Sequence, residues 1–179
     1  IEKKHLKTLF NNEYFVSKKA DGQRFLLCLI TFNNKYCCFF IDRKFQIYMT
    51  KFSFPRECYK GTFIDGEIIK FNGKHFFLCF DCIKISNKDI QNLNFNERLN
   101  HINTLVDNYR KQSSDCCEII MKNFYKYNKL KINNELYESD GYVFMPQNQP
   151  IVYGTHPTFF KWKPQSLNTI DFLITEDLK

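Results

Sequence analysis

Thr62-Phe63-Ile64-Asp65-Gly66-Glu67-Ile68-Ile69-Lys70-Phe71, then Asn72-Gly73, then Lys74-His75-Phe76-Phe77-Leu78-Cys79-Phe80-Asp81-Cys82-Ile83 reads as a β-hairpin. Both arms are rich in β-branched and aromatic residues, and Asn-Gly tolerates the positive φ angles that a two-residue turn demands. Upstream, Arg24–Phe32 and Lys35–Ile41 flank Asn33-Asn34 in the same way, and Phe45–Phe52 continues the meander. Downstream, Ser86–Asn94 is polar and irregular. From Phe95 to Arg110, Leu99, Ile102, Leu105, Val106 and Tyr109 recur at helical spacing, which predicts one amphipathic helix. Cys116–Tyr125 is ambiguous, and Asn128–Leu136 reads as a short helix or a loop. Strand character returns at Tyr142–Met145, Phe159–Lys163 and Ile170–Ile174. The sum is an α+β domain dominated by antiparallel sheet.

A chain of 179 residues is the size of one domain with a substantial core, and 20 Phe and 10 Tyr supply that core with β-forming residues. Only 6 Gly and 5 Pro argue against a linker or a disordered tail. A net charge of +7 suits a polyanionic partner such as RNA, DNA or a triphosphate. Cys79 and Cys82 have metal-site spacing, but they lie in an apolar run without a second pair. The 8 cysteines therefore read as buried, reduced thiols of a reducing compartment. The apolar runs are too short to span a membrane, and no signal peptide is visible. Because the chain opens on Ile1, it is expected to be an excised domain or one piece of a longer polypeptide.

Charged residues stand at the ends of these apolar strands. In Lys19-Ala20-Asp21-Gly22-Gln23-Arg24 a lysine next to a small residue, an Asp-Gly turn and an arginine can hold an amine where a nucleotide α-phosphate would lie. Lysine attacks only after losing its proton, which desolvation or neighbouring positive charge promotes. Arg24 offers that charge and a planar fork for phosphate oxygens. Phe39-Phe40-Ile41-Asp42-Arg43 puts a second arginine at a strand end, and Asp65-Gly66-Glu67 puts two carboxylates around a glycine. Phe80-Asp81 ends an aromatic run, Glu138-Ser139-Asp140-Gly141 precedes a strand, and Lys161-Trp162-Lys163 puts two lysines on one strand face. Each pattern has an ordinary counterpart: acid-Gly pairs are common turns, Arg43 can simply balance Asp42, and alternating lysines mark a solvated face. Together they supply what nucleotidyl transfer needs. Lys19 is the nucleophile, and Arg24, Lys161 and Lys163 offset phosphate charge. Glu67 and Asp140 hold Mg²⁺ or ribose hydroxyls, and Phe80 stacks on the base.

Five motifs in this order, spanning Lys19 to Lys163, resemble the covalent nucleotidyltransferases, which comprise mRNA capping guanylyltransferases and ATP-dependent polynucleotide ligases. The first motif fits the family's Lys-x-Asp-Gly-x-Arg nucleophile pattern. The resemblance implies an antiparallel-sheet-rich, ATP-grasp-like nucleotidyltransferase core over residues 1–179, without the C-terminal OB domain. By the same similarity Lys19 forms a lysyl-nucleotide phosphoramide, while Arg24 and Arg43 contact phosphate and ribose. Glu67 binds ribose or metal, Phe80 stacks on the base, Asp140 assists the metal, and Lys161 and Lys163 bind the α-phosphate. Two stretches lean towards capping: the strand ending in Asp42-Arg43, and Asn168-Thr169-Ile170-Asp171-Phe172 after Lys161-Trp162-Lys163-Pro164. The implied substrates are GTP and 5′-diphosphate RNA, with Mg²⁺ or Mn²⁺ as cofactor. The implied partners are OB-fold, triphosphatase or methyltransferase domains, and no membrane. The reduced thiols point to a cytoplasmic setting, and the Asn, Lys, Ile and Phe bias suggests an AT-rich coding genome such as that of a large DNA virus or a cytoplasmic linear plasmid. The alternatives are an ATP-dependent ligase and a non-catalytic nucleotide- or RNA-binding module.

Overall fold

The structure, a computed structural model, describes residues 1, 3–127 and 137–167. Helix α1 (Lys3–Asn11) and strand β1 (Tyr14–Lys18) lead into β2 (Gln23–Phe32), β3 (Lys35–Asp42) and β4 (Ile47–Thr50). Strands β5 (Lys60–Phe71), β6 (Lys74–Ile85) and the short β7 (Lys88–Asp89) follow, then helix α2 (Phe95–Asp107). Strands β8 (Glu118–Met121), β9 (Tyr125–Lys126), β10 (Tyr142–Pro146) and β11 (Phe160–Trp162) complete the described chain.

Among the described residues these strands form two sheets. The larger runs β4-β3-β2-β5-β6-β7 in antiparallel order, with β8 parallel to β6, and the smaller runs β11-β10-β1-β9. The hairpin over Thr62–Ile83 is its spine, with Asn72 and Gly73 at φ 47° and 75°. The second hairpin turn, Asn33-Asn34, likewise has both residues at positive φ. Leu27, Leu29, Ile64 and Phe77 on one face of the sheet pack with Phe95, Ile102 and Leu105 of α2 into the main core. A reciprocal capping box starts α2: Glu97 N donates to Asn94 Oδ1 at 2.9 Å, and Asn94 N donates to Glu97 Oε2 at 3.1 Å.

Several boundaries differ from the sequence reading, each for a local reason. Strand β4 covers only Ile47–Thr50 of Phe45–Phe52, because the chain turns at Phe45 (φ 61°). Helix α2 stops at Asp107, with Asn108 as its cap, rather than at Arg110. The ambiguous Cys116–Tyr125 contains β8, and the polar stretch after Ser86 contains the two-residue β7. Helix α1 and strand β1 are additional to the elements expected from sequence. Helix α1 is amphipathic but short and buries only Leu9, and β1 is buried along nearly its whole length, so it does not alternate. The cysteines are free thiols, and Cys28, Cys38, Cys58, Cys79, Cys82 and Cys117 are buried, but Cys37 is only half-buried and Cys116 is exposed, against the expectation that all are buried. Burial pushes the Cys28 and Cys38 thiols up to about 12, which suppresses their thiolates. Asn128–Leu136, Asn168–Phe172 and Ile170–Ile174 lie outside the described residues.

Candidate functional site

The smaller sheet brings together residues far apart in sequence. Lys18 pairs with Tyr142, and Tyr142 with Trp162, across β1, β10 and β11. The pairing continues one residue past β1, where Lys19 N donates to Gly141 O at 2.9 Å. This register sets the Lys19 side chain beside Asp140. Lys19 Nζ donates to Asp140 Oδ1 at 3.0 Å and Oδ2 at 3.2 Å, and Lys163 Nζ reaches Oδ2 at 2.5 Å. Burial pushes the Asp140 carboxyl up, but the hydrogen bonds from Lys163 and Lys19 and their charges outweigh it, so its pKa lies below the ordinary carboxylate value. Gly141 permits this approach: a Cβ there would stand 2.0 Å from Trp162 O.

The larger sheet supplies a second group. Pairing of β2 with β5 sets Arg24 across from Glu67, and Arg24 forms a bidentate pair with Asp65, its Nε donating to Oδ1 at 2.8 Å. Burial leads in raising the pKa of the Asp65 carboxyl, against the opposing effect of Arg24. Glu67 accepts from Gly22 N at 3.3 Å and lies 3.9 Å from Lys122 Nζ. The Phe80 ring has Arg24 Cζ at 5.7 Å and Lys122 Nζ at 5.8 Å from its centroid. Lys161 of β11 feels the charges of both groups. Loss of solvent around its ammonium, then the like charges of Lys19, Arg43 and Arg24, lower its pKa against the opposing charge of Glu67. The candidate residues thus fall into two contact groups, Lys19, Lys163 and Asp140 in one and Arg24, Glu67 and Phe80 in the other, with Lys161 feeling the charges of Lys19, Arg43, Arg24 and Glu67.

Two participants escaped the sequence reading. Lys122 is buried, only 6% exposed, against Glu67 and Phe80. It follows the apolar run Ile119-Ile120-Met121, the same strand-end placement that marked Arg43. The second is Arg98 of α2, which clamps Asp81 through Nε at 2.7 Å and Nη2 at 3.0 Å. Asp81 is thereby committed to holding the strand end behind Phe80.

Among the described residues no group of three or more His, Cys, Asp or Glu side chains stands at metal-holding distance, and Asp140 and Glu67 have separate partners. Mg²⁺ is ordinarily held by one or two carboxylates plus substrate phosphates, so Asp140 or Glu67 would hold such an ion only with a nucleotide completing its coordination.

Two lysines on the Asp140 carboxylate, with Arg24 and Arg43 within electrostatic reach of Lys161, are the kinds of side chain that bind phosphate-bearing ligands. The chain belongs to the catalytic-domain family of the mRNA capping enzymes, whose description, "mRNA capping enzyme, catalytic domain", matches residues 1–165. It is 30% identical to the mRNA-capping enzyme subunit alpha of Schizosaccharomyces pombe, over 97% of this chain and 51% of that protein. It is 27% identical to the Saccharomyces cerevisiae subunit alpha, over 95% of this chain and 45% of that protein. With the Danio rerio mRNA-capping enzyme it shares 27% identity over 96% of this chain and 32% of that protein. The chain thus spans about half the length, or less, of the curated relatives it matches. Among the described residues no helix is long and apolar enough to cross a membrane.

Proposed function

We propose that this chain is the nucleotidyl-transfer core of an mRNA guanylyltransferase. The observation that carries the reading is that Lys19 and Lys163 share the Asp140 carboxylate, with further cations around them, in a chain of the capping-enzyme family. The Lys19 amine, as free base, attacks the α-phosphorus of GTP. A nitrogen–phosphorus bond forms, the bridging bond to the β-phosphate oxygen breaks, pyrophosphate leaves with that electron pair, and the amine releases a proton to solvent. A terminal phosphate oxygen of 5′-diphosphate RNA then attacks the same phosphorus. The nitrogen–phosphorus bond breaks, Lys19 recovers a proton, and GMP joins the RNA end.

In this reading Arg24 and Arg43 bind phosphate and ribose, Glu67 binds ribose or the metal, and Phe80 stacks on guanine. Lys161 and Lys163 offset charge on the α-phosphate, where preorganised cations act most strongly. Asp140 holds Lys19 and also serves Mg²⁺ or Mn²⁺, which supplies charge neutralisation when bound. Residues 1–179 form one ATP-grasp-like domain that works with OB-fold, triphosphatase or methyltransferase domains of the same protein or of partner subunits, in a reducing, cytoplasmic setting. Incubation with α-labelled GTP and Mg²⁺, with and without excess ATP, tests the reading. It requires covalent label from GTP that Lys19→Ala abolishes. Label from ATP alone would assign a ligase. Absence of label from either nucleotide, with every activity of the intact protein indifferent to Lys19→Ala, would assign a binding module.

A further inference from the structure

The turn between β3 and β4 presents an aromatic to solvent in a conformation that bulky residues rarely adopt. Phe45 is 86% exposed and has φ 61°, in the left-handed region where a bulky side chain is an outlier. The turn is fixed from within by Asp42. Its carboxylate accepts from Lys44 N at 2.8 Å and Gln46 N at 2.9 Å, and its backbone carbonyl accepts from Phe45 N at 3.0 Å. Tyr48 OH donates to Gln46 Oε1 at 2.7 Å and braces the same turn. Phe45 is therefore held out by hydrogen bonds made beneath it, as strained residues at functional sites are.

Behind this turn lies an open cleft of about 450 Å³, whose charged lining is Arg24, Arg43 and Lys44 together with the Asp42 carboxylate, which is engaged by the turn's own amides. The cleft is bordered by Gly22 and Arg24, three and five residues after Lys19 in the chain. Arg43 and Lys44 are exposed and have no ion-pair partner among the described residues. Two exposed cations beside an exposed, preorganised aromatic match the chemistry of single-stranded nucleic acid, in which phosphates seek cations and unpaired bases stack on rings.

We infer that the β3–β4 turn seats the first nucleotides of the acceptor RNA, with Phe45 stacking an unpaired base and Lys44 taking a backbone phosphate. The inference rests on the guanylyltransferase reading for the identity of the acceptor. The charge at the turn decides against the other occupant of an exposed apolar residue, a protein segment. Ile47 and Met49 of β4 are exposed beyond the turn, but the two cations beside the ring, Arg43 and Lys44, favour a polyanion over an apolar protein segment.

Binding and transfer are measured separately in the intact protein carrying Phe45→Ala, Phe45→Tyr or Lys44→Ala. Covalent labelling by α-labelled GTP reads the first half-reaction, and anisotropy of a fluorescent 5′-diphosphate oligoribonucleotide reads acceptor binding. The expected result is labelling within about twofold of the parent for all three variants. Phe45→Ala weakens oligonucleotide binding and raises the acceptor KM by about tenfold. Phe45→Tyr restores both, and Lys44→Ala flattens the salt dependence of binding by roughly one phosphate's worth. Unchanged oligonucleotide affinity in Phe45→Ala and Lys44→Ala overturns the inference. So does unchanged affinity accompanied by altered sedimentation of Phe45→Ala, which would assign the turn to a protein contact. If the parent protein takes no label from GTP, the guanylyltransferase reading fails on its own, while the anisotropy still decides whether the turn holds RNA.

Discussion

Lys19 donates to both carboxylate oxygens of Asp140, at 3.0 and 3.2 Å, across 121 positions of sequence. Lys163 reaches the same carboxylate, so a single acidic side chain orients two cations from different strands. Asp140→Asn keeps the shape and removes the charge. It is expected to lower lysyl-GMP formation by about 10²-fold or more, the scale of losing one preorganised electrostatic group. Lys19→Ala is expected to abolish covalent label outright. Quantified label retention on denaturing gels checks both.

The same carboxylate gives an acid-side expectation. The Asp140 pKa is lowered in the folded protein by its two lysines, so its contribution to stability is fully present above the unfolded value near ~3.9. It is lost as pH falls through the lower folded value. Urea unfolding of parent and Asp140→Asn should therefore differ at neutral pH and converge in acid. A constant difference across that range would contradict the assignment.

Lys161 titrates in the opposite setting. Its folded pKa is lowered, so the unfolded chain binds more protons in the window between the folded value and the ordinary lysine value near ~10.4, and stability should rise with pH there. Affinity for a nucleotide should fall over that window as the ammonium is lost. Calorimetric titration with a non-hydrolysable GTP analogue checks this, and Lys161→Arg should remove the alkaline limb.

Arg98 is 2% exposed and, besides its two bonds to Asp81, donates Nη1 to Leu93 O at 2.6 Å and to Gln149 O at 3.0 Å. Arg98→Met leaves a largely buried carboxylate without its partner, a loss of about 3–5 kcal/mol. Pairing it with Asp81→Asn should recover part of that loss, since the two residues are directly coupled. Denaturant midpoints of the two single variants and the double variant close the cycle.

Gly141→Ala would force a methyl group to within 2.0 Å of Trp162 O. The strand pair β10–β11 must part to accommodate it, which separates Lys163 from Asp140. Loss of label together with a lowered thermal midpoint is expected. Lys122→Met, in contrast, should leave the fold in place and weaken nucleotide binding by about tenfold, the scale of one charge-assisted contact. Equilibrium binding of a fluorescent GTP analogue would register the difference.

Much of this protein was legible locally. The Asn33-Asn34 and Asn72-Gly73 turns announced two hairpins because positive φ is a property of those residues themselves. The α2 periodicity and the buried thiols followed from apolar spacing, which needs no knowledge of distant chain. The ordered motifs from Lys19 to Lys163 carried the family resemblance, and the match over residues 1–165 bears it out.

What sequence by itself determined was therefore the strand-rich class, the turns, the family and the cast of charged residues. Tertiary structure alone decided which charges meet. Asp81, read among the site patterns, is spent on Arg98, while Lys122, unremarked in the chain, stands against Glu67 and Phe80. It also decided that Lys19 and Lys163 share one carboxylate, through the register of β1, β10 and β11. The reason is physical: turn and strand preferences act over a few residues, whereas ion pairing depends on distances that exist only once sheets have paired and solvent has been excluded between them.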